Sequence, residues 1–157
     1  MFCACVSLEK QLWVTEGDSA ILPCLLSRPF PPLNEITVAW QTKEEKKKKG
    51  LTFSSGEEKP VEERDQMLNF FAKGKEDSRH QSPPYINRTR LISDQLQAGN
   101  FSLELLNVSM RDNNTIVQCV VSYFRGTNYY YSCRSNVTLL VKRRGDGKDY
   151  VTLHCLN

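Results

Sequence analysis

The chain has 157 residues, 39% of them hydrophobic and 25% charged, which suffices for one globular domain with its own core and lies far from collagenous or disordered compositions. Its 21 basic and 18 acidic residues leave a net charge of +3, too even a balance for nucleic acid or an anionic membrane to be the main partner. Two histidines, His80 and His154, are poor material for histidine metal centres or histidine acid–base chemistry, and no Gly-x-Ser-x-Gly occurs, so an enzyme is not expected.

Short period-two runs recur along the chain, bounded by glycine, proline, asparagine and aspartate, while helical periodicity is scarce, so the expected class is all-β. In Ser19–Leu26 the residues Ala20, Leu22, Cys24 and Leu26 share a face, and in Ile36–Trp40 so do Ile36, Val38 and Trp40. From Lys43 to Asp65 seven bases balance seven acids, which predicts a solvated polyampholyte loop rather than a heparin or nucleic-acid patch, despite the lysine run Lys46 to Lys49. Further on, Phe101, Leu103 and Leu105 alternate with Ser102 and Glu104. Val117, Cys119 and Val121 then alternate with Gln118 and Val120, and Val137, Leu139 and Val141 with Thr138 and Leu140. Alternation of this kind predicts a two-sheet sandwich.

Six cysteines, at 3, 5, 24, 119, 133 and 155, include no Cys-x-x-Cys clip, so structural disulfides are expected rather than zinc or redox sites. Five Asn-x-Ser/Thr sequons, at Asn87, Asn100, Asn107, Asn113 and Asn136, point with them to secretion into an oxidising compartment. Met1 to Val6 is too short for the apolar region of a signal peptide, so the chain reads as lacking its true start. It also contains no run of about 18 apolar residues, so any membrane tether is expected beyond Asn157.

The order Cys24, Trp40 sixteen residues later, then Cys119 is the signature of the immunoglobulin sandwich. Tyr85–Leu91, Gln97–Val108 and Cys119-Val-Val look like strands D, E and F of a variable-type domain. Over residues 6–143 the chain resembles the membrane-distal domains of butyrophilins and of T-cell costimulatory or coinhibitory ligands, the B-seven family. The resemblance implies a V-set Greek-key sandwich with a Cys24–Cys119 bridge between the sheets and Trp40 packed on it. The cysteine spacing of 95 is wider than is usual in the family, and the long charged insertion between Thr42 and Met67, which lengthens the C to C′ connection, accounts for the excess. Val117 stands where such domains place the tyrosine of their tyrosine corner, and Asp112 sits one place early for the ion pair with Arg88 at the start of strand D. The tyrosine corner and its backbone hydrogen bond are therefore missing, since valine fills the volume but not the bond, and the resemblance does not secure the ion pair. The other four cysteines stay open: a bridge from Cys3 or Cys5 to Cys133 and an unpaired or intermolecular Cys133 are equally compatible with the sequence. Residues 144–157 read as a linker or tail. Asp149, Leu153, Cys155 and Leu156 repeat the offsets of Asp18, Leu22, Cys24 and Leu25, which suits the start of a second immunoglobulin domain as well as it suits a frayed end.

By resemblance, the chain is a non-enzymatic extracellular recognition module, at the cell surface or secreted. It would act as a ligand that binds a lymphocyte receptor through the front sheet of strands C, C′, F and G and modulates T-cell activation. The aromatic candidates for contact are Phe70 and Phe71 on C′, with Tyr123, Phe124, Tyr129, Tyr130 and Tyr131 around the F–G turn. Tyr123 shares parity with Cys119 and is the one most open to an inward placement. Asn87, Asn100, Asn107 and Asn113 map to the back sheet and its lower edge, whereas Asn136 is expected to project from the front sheet. A second reading is adhesion through an integrin at Arg144-Gly145-Asp146. No cofactor, metal or nucleic-acid partner is expected, and membrane contact is expected only through a tether outside this chain.

Overall fold

The computed structural model describes residues 9–43 and 65–145, with the side chains of Glu9 and of residues 129–133 outside that description. The charged segment 44–64, the tail from Asp146 onward, and Cys3, Cys5 and Cys155 also lie outside the described residues. Within them the strands are β1 (Glu9–Thr15), β2 (Ala20–Leu22), β3 (Ile36–Lys43), β4 (Met67–Ala72), β5 (Lys75–Glu76), β6 (Thr89–Leu91), β7 (Leu103–Leu105), β8 (Thr115–Arg125) and β9 (Asn128–Lys142). They form a six-stranded sheet of order β1-β9-β8-β3-β4-β5 and a three-stranded sheet of order β2-β7-β6. This is the variable-type immunoglobulin arrangement, in which the larger sheet gains two strands, here β4 and β5, beyond C, F and G, and β1 adds a sixth along β9. β1 runs parallel to β9, and the remaining pairs are antiparallel.

The inward residues are those that the alternation places on one face. Ala20, Leu22, Cys24 and Leu26 come from β2 and its continuation, Ile36, Val38 and Trp40 from β3, and Phe101, Leu103 and Leu105 from β7 and the segment before it. Val117, Cys119 and Val121 of β8 join Val137, Leu139 and Val141 of β9 in the same buried cluster. Cys24 and Cys119 are bridged across the sheets, with Cα atoms 6.4 Å apart. Trp40 is the direct strand partner of Cys119 and fully buried, and its Nε1–H donates to the Phe101 carbonyl at 3.0 Å. The indole thus packs beside the bridge and ties the sheets by a second, polar contact. Phe71 meets Phe101 edge-on, with ring centroids 5.2 Å apart.

Two of the buried polar residues tie neighbouring segments together. Ser102 is buried because its hydroxyl accepts from the Cys24 N–H at 3.2 Å, which satisfies a backbone donor beyond the end of β2. Asn69 faces inward on β4, and its Nδ2 donates to Glu76 Oε1 at 2.8 Å. The same carboxylate oxygen accepts from the Leu91 N–H at 3.1 Å. Glu76 therefore joins β5, an edge of the large sheet, to β6, an edge of the small one.

Strands D and E are shorter than the sequence suggests. Pro83–Tyr85, Ser93–Ala98 and Met110–Asp112 are 3-10 turns. Asn87, expected on strand D, lies in the turn before β6 with φ +61°. Gly99 ends the Ser93–Ala98 turn at φ +85°, and a Cβ there would stand 2.9 Å from the Phe30 ring and 3.1 Å from the Leu26 carbonyl. Only glycine fits so close an approach.

The ion pair that the spacing left unsecured does form. Arg88 Nη2 reaches Asp112 Oδ2 at 2.7 Å. The residue in excess of the usual run is absorbed in the turn at Asn113 and Asn114, where Asn114 takes φ +62°. Asp112 meanwhile caps its own 3-10 turn, accepting from the Ser109 N–H at 2.9 Å.

Tyr85 is buried beside this pair, and its hydroxyl is pushed up to about 12, first by burial and then by the charge of Asp112, with Arg88 acting in the opposite sense. The folded pKa lies above the unfolded value of about 10. The folded state therefore keeps a proton that the unfolded state releases. Stability is intact below pH 10 and falls as pH rises towards 12, by up to about 1.4 kcal/mol per pH unit. Unfolding titrations of the parent and of Tyr85→Phe are expected to diverge in that window, the variant showing the shallower loss. Parallel curves would show that Tyr85 does not couple to folding.

Candidate functional site

The outer face of the six-stranded sheet is organised in cross-strand rungs. Ala39 of β3 pairs with Phe70 on one side and Val120 on the other, and Val120 pairs with Arg134. One rung towards the β8–β9 turn, Thr37 pairs with Ser122, and Ser122 with Tyr131. Phe124 pairs with Tyr129 at the end of the hairpin. In the opposite direction Gln41, Gln118 and Asn136 form a polar rung, with Met67 opposite Gln41. Gln118 Nε2 donates to Asn136 Oδ1 at 2.9 Å. Gln118 is thereby buried at 5% exposure although it points away from the core.

Two irregularities decide which aromatic residues reach this face. The pairing steps from Trp40–Asn69 to Gln41–Met67, so Leu68 is an extra residue on β4 and the parity of the strand resets around it. Phe70 consequently points outward and is half-buried, while Phe71 is 1% exposed in the core. On β9 the pairing steps from Val121–Cys133 to Ser122–Tyr131, so Ser132 is the extra residue there.

Of the contact residues expected from sequence, the structure presents Phe70 and Phe124 to solvent, Phe124 at 48% exposure. Phe71 and Tyr123 are corrected: at 1% and 3% exposure they fill the interior and offer a partner no surface. The side chains of Tyr129, Tyr130 and Tyr131 lie outside the described residues, although their backbone pairs with Phe124, Tyr123 and Ser122. Cys133 pairs with Val121 through its backbone, and its side chain likewise lies outside the description.

The sequons divide by face. Asn87 and Asn107 are exposed at left-handed turns, with φ of +61° and +49°. Asn100, Asn113 and Asn136 are half-buried, and in each the side-chain oxygen is the structural atom. It accepts from the Ser102 N–H, the Val141 N–H and Gln118 Nε2 respectively. The amide nitrogen, to which a glycan attaches, is left out of those bonds. Asn136 stands on the outer face of the large sheet, in the polar rung below Phe70 and Val120.

Arg144 of the Arg-Gly-Asp tripeptide donates to the Asp18 carboxylate and to the Glu16 carbonyl at 3.1 Å. Its guanidinium is thus engaged within the chain, and Asp146 lies outside the described residues.

Among the exposed residues that sequence reading passed over is Trp13, at 59% exposure on the outer side of β1 with Lys142 Nζ 5.1 Å from its ring centroid. Its parity opposite to Val14 was the available signal, obscured because the run Glu9–Thr15 alternates poorly.

No family model matches the sequence. Among solved structures, the human B7-H4 IgV-like domain is similar at 21% identity and a TM-score of 0.56, over 88% of this chain and 95% of that one. A chain from the complex of ICOS with ICOS-L and an anti-ICOS-L VNAR domain is similar at 22% identity and a TM-score of 0.62, over 86% of this chain and 55% of that one. Bovine butyrophilin is similar at 17% identity and a TM-score of 0.61, over 90% and 55%. At these identities the likeness shows the fold, and it is the V-type immunoglobulin fold that the strand order and the bridge define.

Proposed function

We propose that this chain is the recognition module of a cell-surface immune protein, a ligand that binds a receptor on lymphocytes through the outer face of the six-stranded sheet and modulates T-cell activation. The observation that carries the reading is the apolar strip on that face, where the rung Phe70–Ala39–Val120 is followed towards the hairpin end by exposed Phe124. Half-exposed apolar residues on a rigid sheet supply contact area at little entropic cost, and aromatic ones are favoured as hot spots. The similarity in fold to the B7-H4 domain, to a chain of the ICOS complex and to butyrophilin agrees with this class of partner. Four of the five sequons lie away from this face, so glycans there leave it open.

The test is the binding of tetramers of the chain to resting and activated lymphocytes, together with a T-cell proliferation assay. Phe70→Ala and Phe124→Ser are each expected to weaken binding by about 1 to 3 kcal/mol. Removing the front-sheet sequon by Thr138→Ala keeps the Asn136–Gln118 hydrogen bond and is expected to leave binding unchanged or stronger. Unaltered affinity in both aromatic variants would refute the face assignment, and absence of lymphocyte binding would refute the function.

A further inference from the structure

We infer that the sheet face around Trp13 is a second docking surface, separate from the Phe70–Phe124 strip, and that its partner is a protein with an acidic rim around an apolar cleft. Trp13 lies directly opposite Leu140 on β9. Ile116 of β8 lies opposite Thr138, which makes it the diagonal neighbour of Leu140 on the same face, within about 7 to 8 Å. Ile116 and Leu140 are half-buried and Trp13 is exposed, so the three form one apolar patch. The polar rung Gln41–Gln118–Asn136 separates it from the upper strip. Ile116 and Val120 are four residues apart along β8, about 13 Å, and a glycan on Asn136 would stand between the two surfaces.

Two lysines flank the patch. Lys43 lies opposite Ile116, and Lys142 sits against the Trp13 ring. The outward register positions of β3, β8 and β9 hold Lys43, Arg134 and Lys142, and the carboxylate residue that the register brings to this face, Glu9 of β1 opposite Asn136, is four residues from Trp13. An acidic rim on the partner complements these charges, and an apolar cleft accepts Trp13, a residue type enriched at hot spots. A second copy of the chain docked face to face over the patch would bring each lysine towards the lysines of its image, which opposes a two-fold contact. A sulfated polysaccharide would read the lysines without using the three apolar side chains. An anionic membrane is also a weak fit, because a basic pair and one indole fall short of the lysine clusters and broad apolar faces that hold proteins to it.

The test uses tetramers of the full chain on an array of cells, each displaying one leukocyte receptor ectodomain. Heparin and vesicles of phosphatidylcholine with phosphatidylserine serve as separate probes, and sedimentation of the untagged chain reports self-association. Trp13→Ser and Lys142→Glu alter exposed side chains and are expected to melt within a few degrees of the parent. We expect an array member whose binding falls at least tenfold with each of these variants, weakens with added salt, and is unmoved by Phe70→Ala. An acidic-to-lysine change in that receptor is expected to restore binding to Lys142→Glu. The inference is overturned if no array member responds to Trp13→Ser, or if the response to Trp13→Ser is always shared by Phe70→Ala. It is also overturned if the patch variants act only on heparin, on vesicles or on self-association. Loss of lymphocyte binding on Phe70→Ala alone would leave the receptor strip standing while this second surface failed.

Discussion

Replacing Cys24 and Cys119 together by alanine is expected to lower the unfolding free energy by about 4 to 5 kcal/mol and to leave the domain largely unfolded at 37 °C. The bridge spans a sequence separation of 95, and on the chain-entropy model closing a loop of that length removes about 4.7 kcal/mol of unfolded-state freedom at 25 °C. A domain's whole stability is about 5 to 15 kcal/mol, so this one bond supplies a large share of it. The loss falls where the sheets have few other specific ties, among them the Trp40–Phe101 hydrogen bond and the reach of Glu76 from β5 to Leu91. Urea unfolding of the parent and the double variant measures the effect. The midpoint should fall and the slope should rise, because the denatured chain without its cross-link exposes more surface. A variant within about 1 kcal/mol of the parent would show that packing around Trp40, rather than the covalent closure, holds the sheets together.

The sandwich was legible because its inward residues obey a period of two over the runs that matter, and because Cys24, Trp40 and Cys119 fall on three such runs. The site was legible only in part, and the reason is local. A bulge inverts the facing of every residue beyond it, and both bulges fall inside the aromatic segments. Leu68 stands just before Phe70 and Phe71, so parity counted from sequence could not say which of the two is outward. Ser132 stands between Cys133 and Tyr131, with the same consequence for facings counted back from Val137. Tyr123 has no bulge between it and Cys119 on its own strand, and its inward placement follows the parity it shares with that cysteine. Polar burial was the other blind spot. Ser102 and Gln118 alternate correctly as outward residues, yet one satisfies the Cys24 amide and the other is enclosed by its own hydrogen-bonded rung. Contacts between strands far apart in sequence decide such burial.

The Arg88–Asp112 pair is expected to respond unequally to loss of its two members, with Arg88→Met costing about 3 to 5 kcal/mol and Asp112→Asn about 1 to 3 kcal/mol. The asymmetry follows from what each change leaves behind. Arg88 donates not only to Asp112 but also to the carbonyls of Leu106, Pro84 and Asn107 at 3.2, 3.0 and 3.2 Å. Methionine keeps the aliphatic stem but strips a side-chain donor from all three carbonyls. It also leaves the Asp112 carboxylate, only 5% exposed, with the Ser109 N–H as its remaining described partner. A buried charge so exposed to desolvation is the expensive outcome. Asparagine at 112 instead keeps the shape and an acceptor oxygen for both Ser109 and Arg88. The guanidinium then retains its three carbonyls and, at 21% side-chain exposure, some contact with water. Pairing Arg88→Met with Asp112→Leu should recover part of the loss, since an apolar pair carries no unpaired charge. Chemical denaturation of the three variants decides the matter. Equal losses for the single variants would mean that the pair acts as a simple mutual attraction. A double variant worse than Arg88→Met alone would mean that the cap on Ser109, and not the buried charge, is what the turn between β7 and β8 depends on.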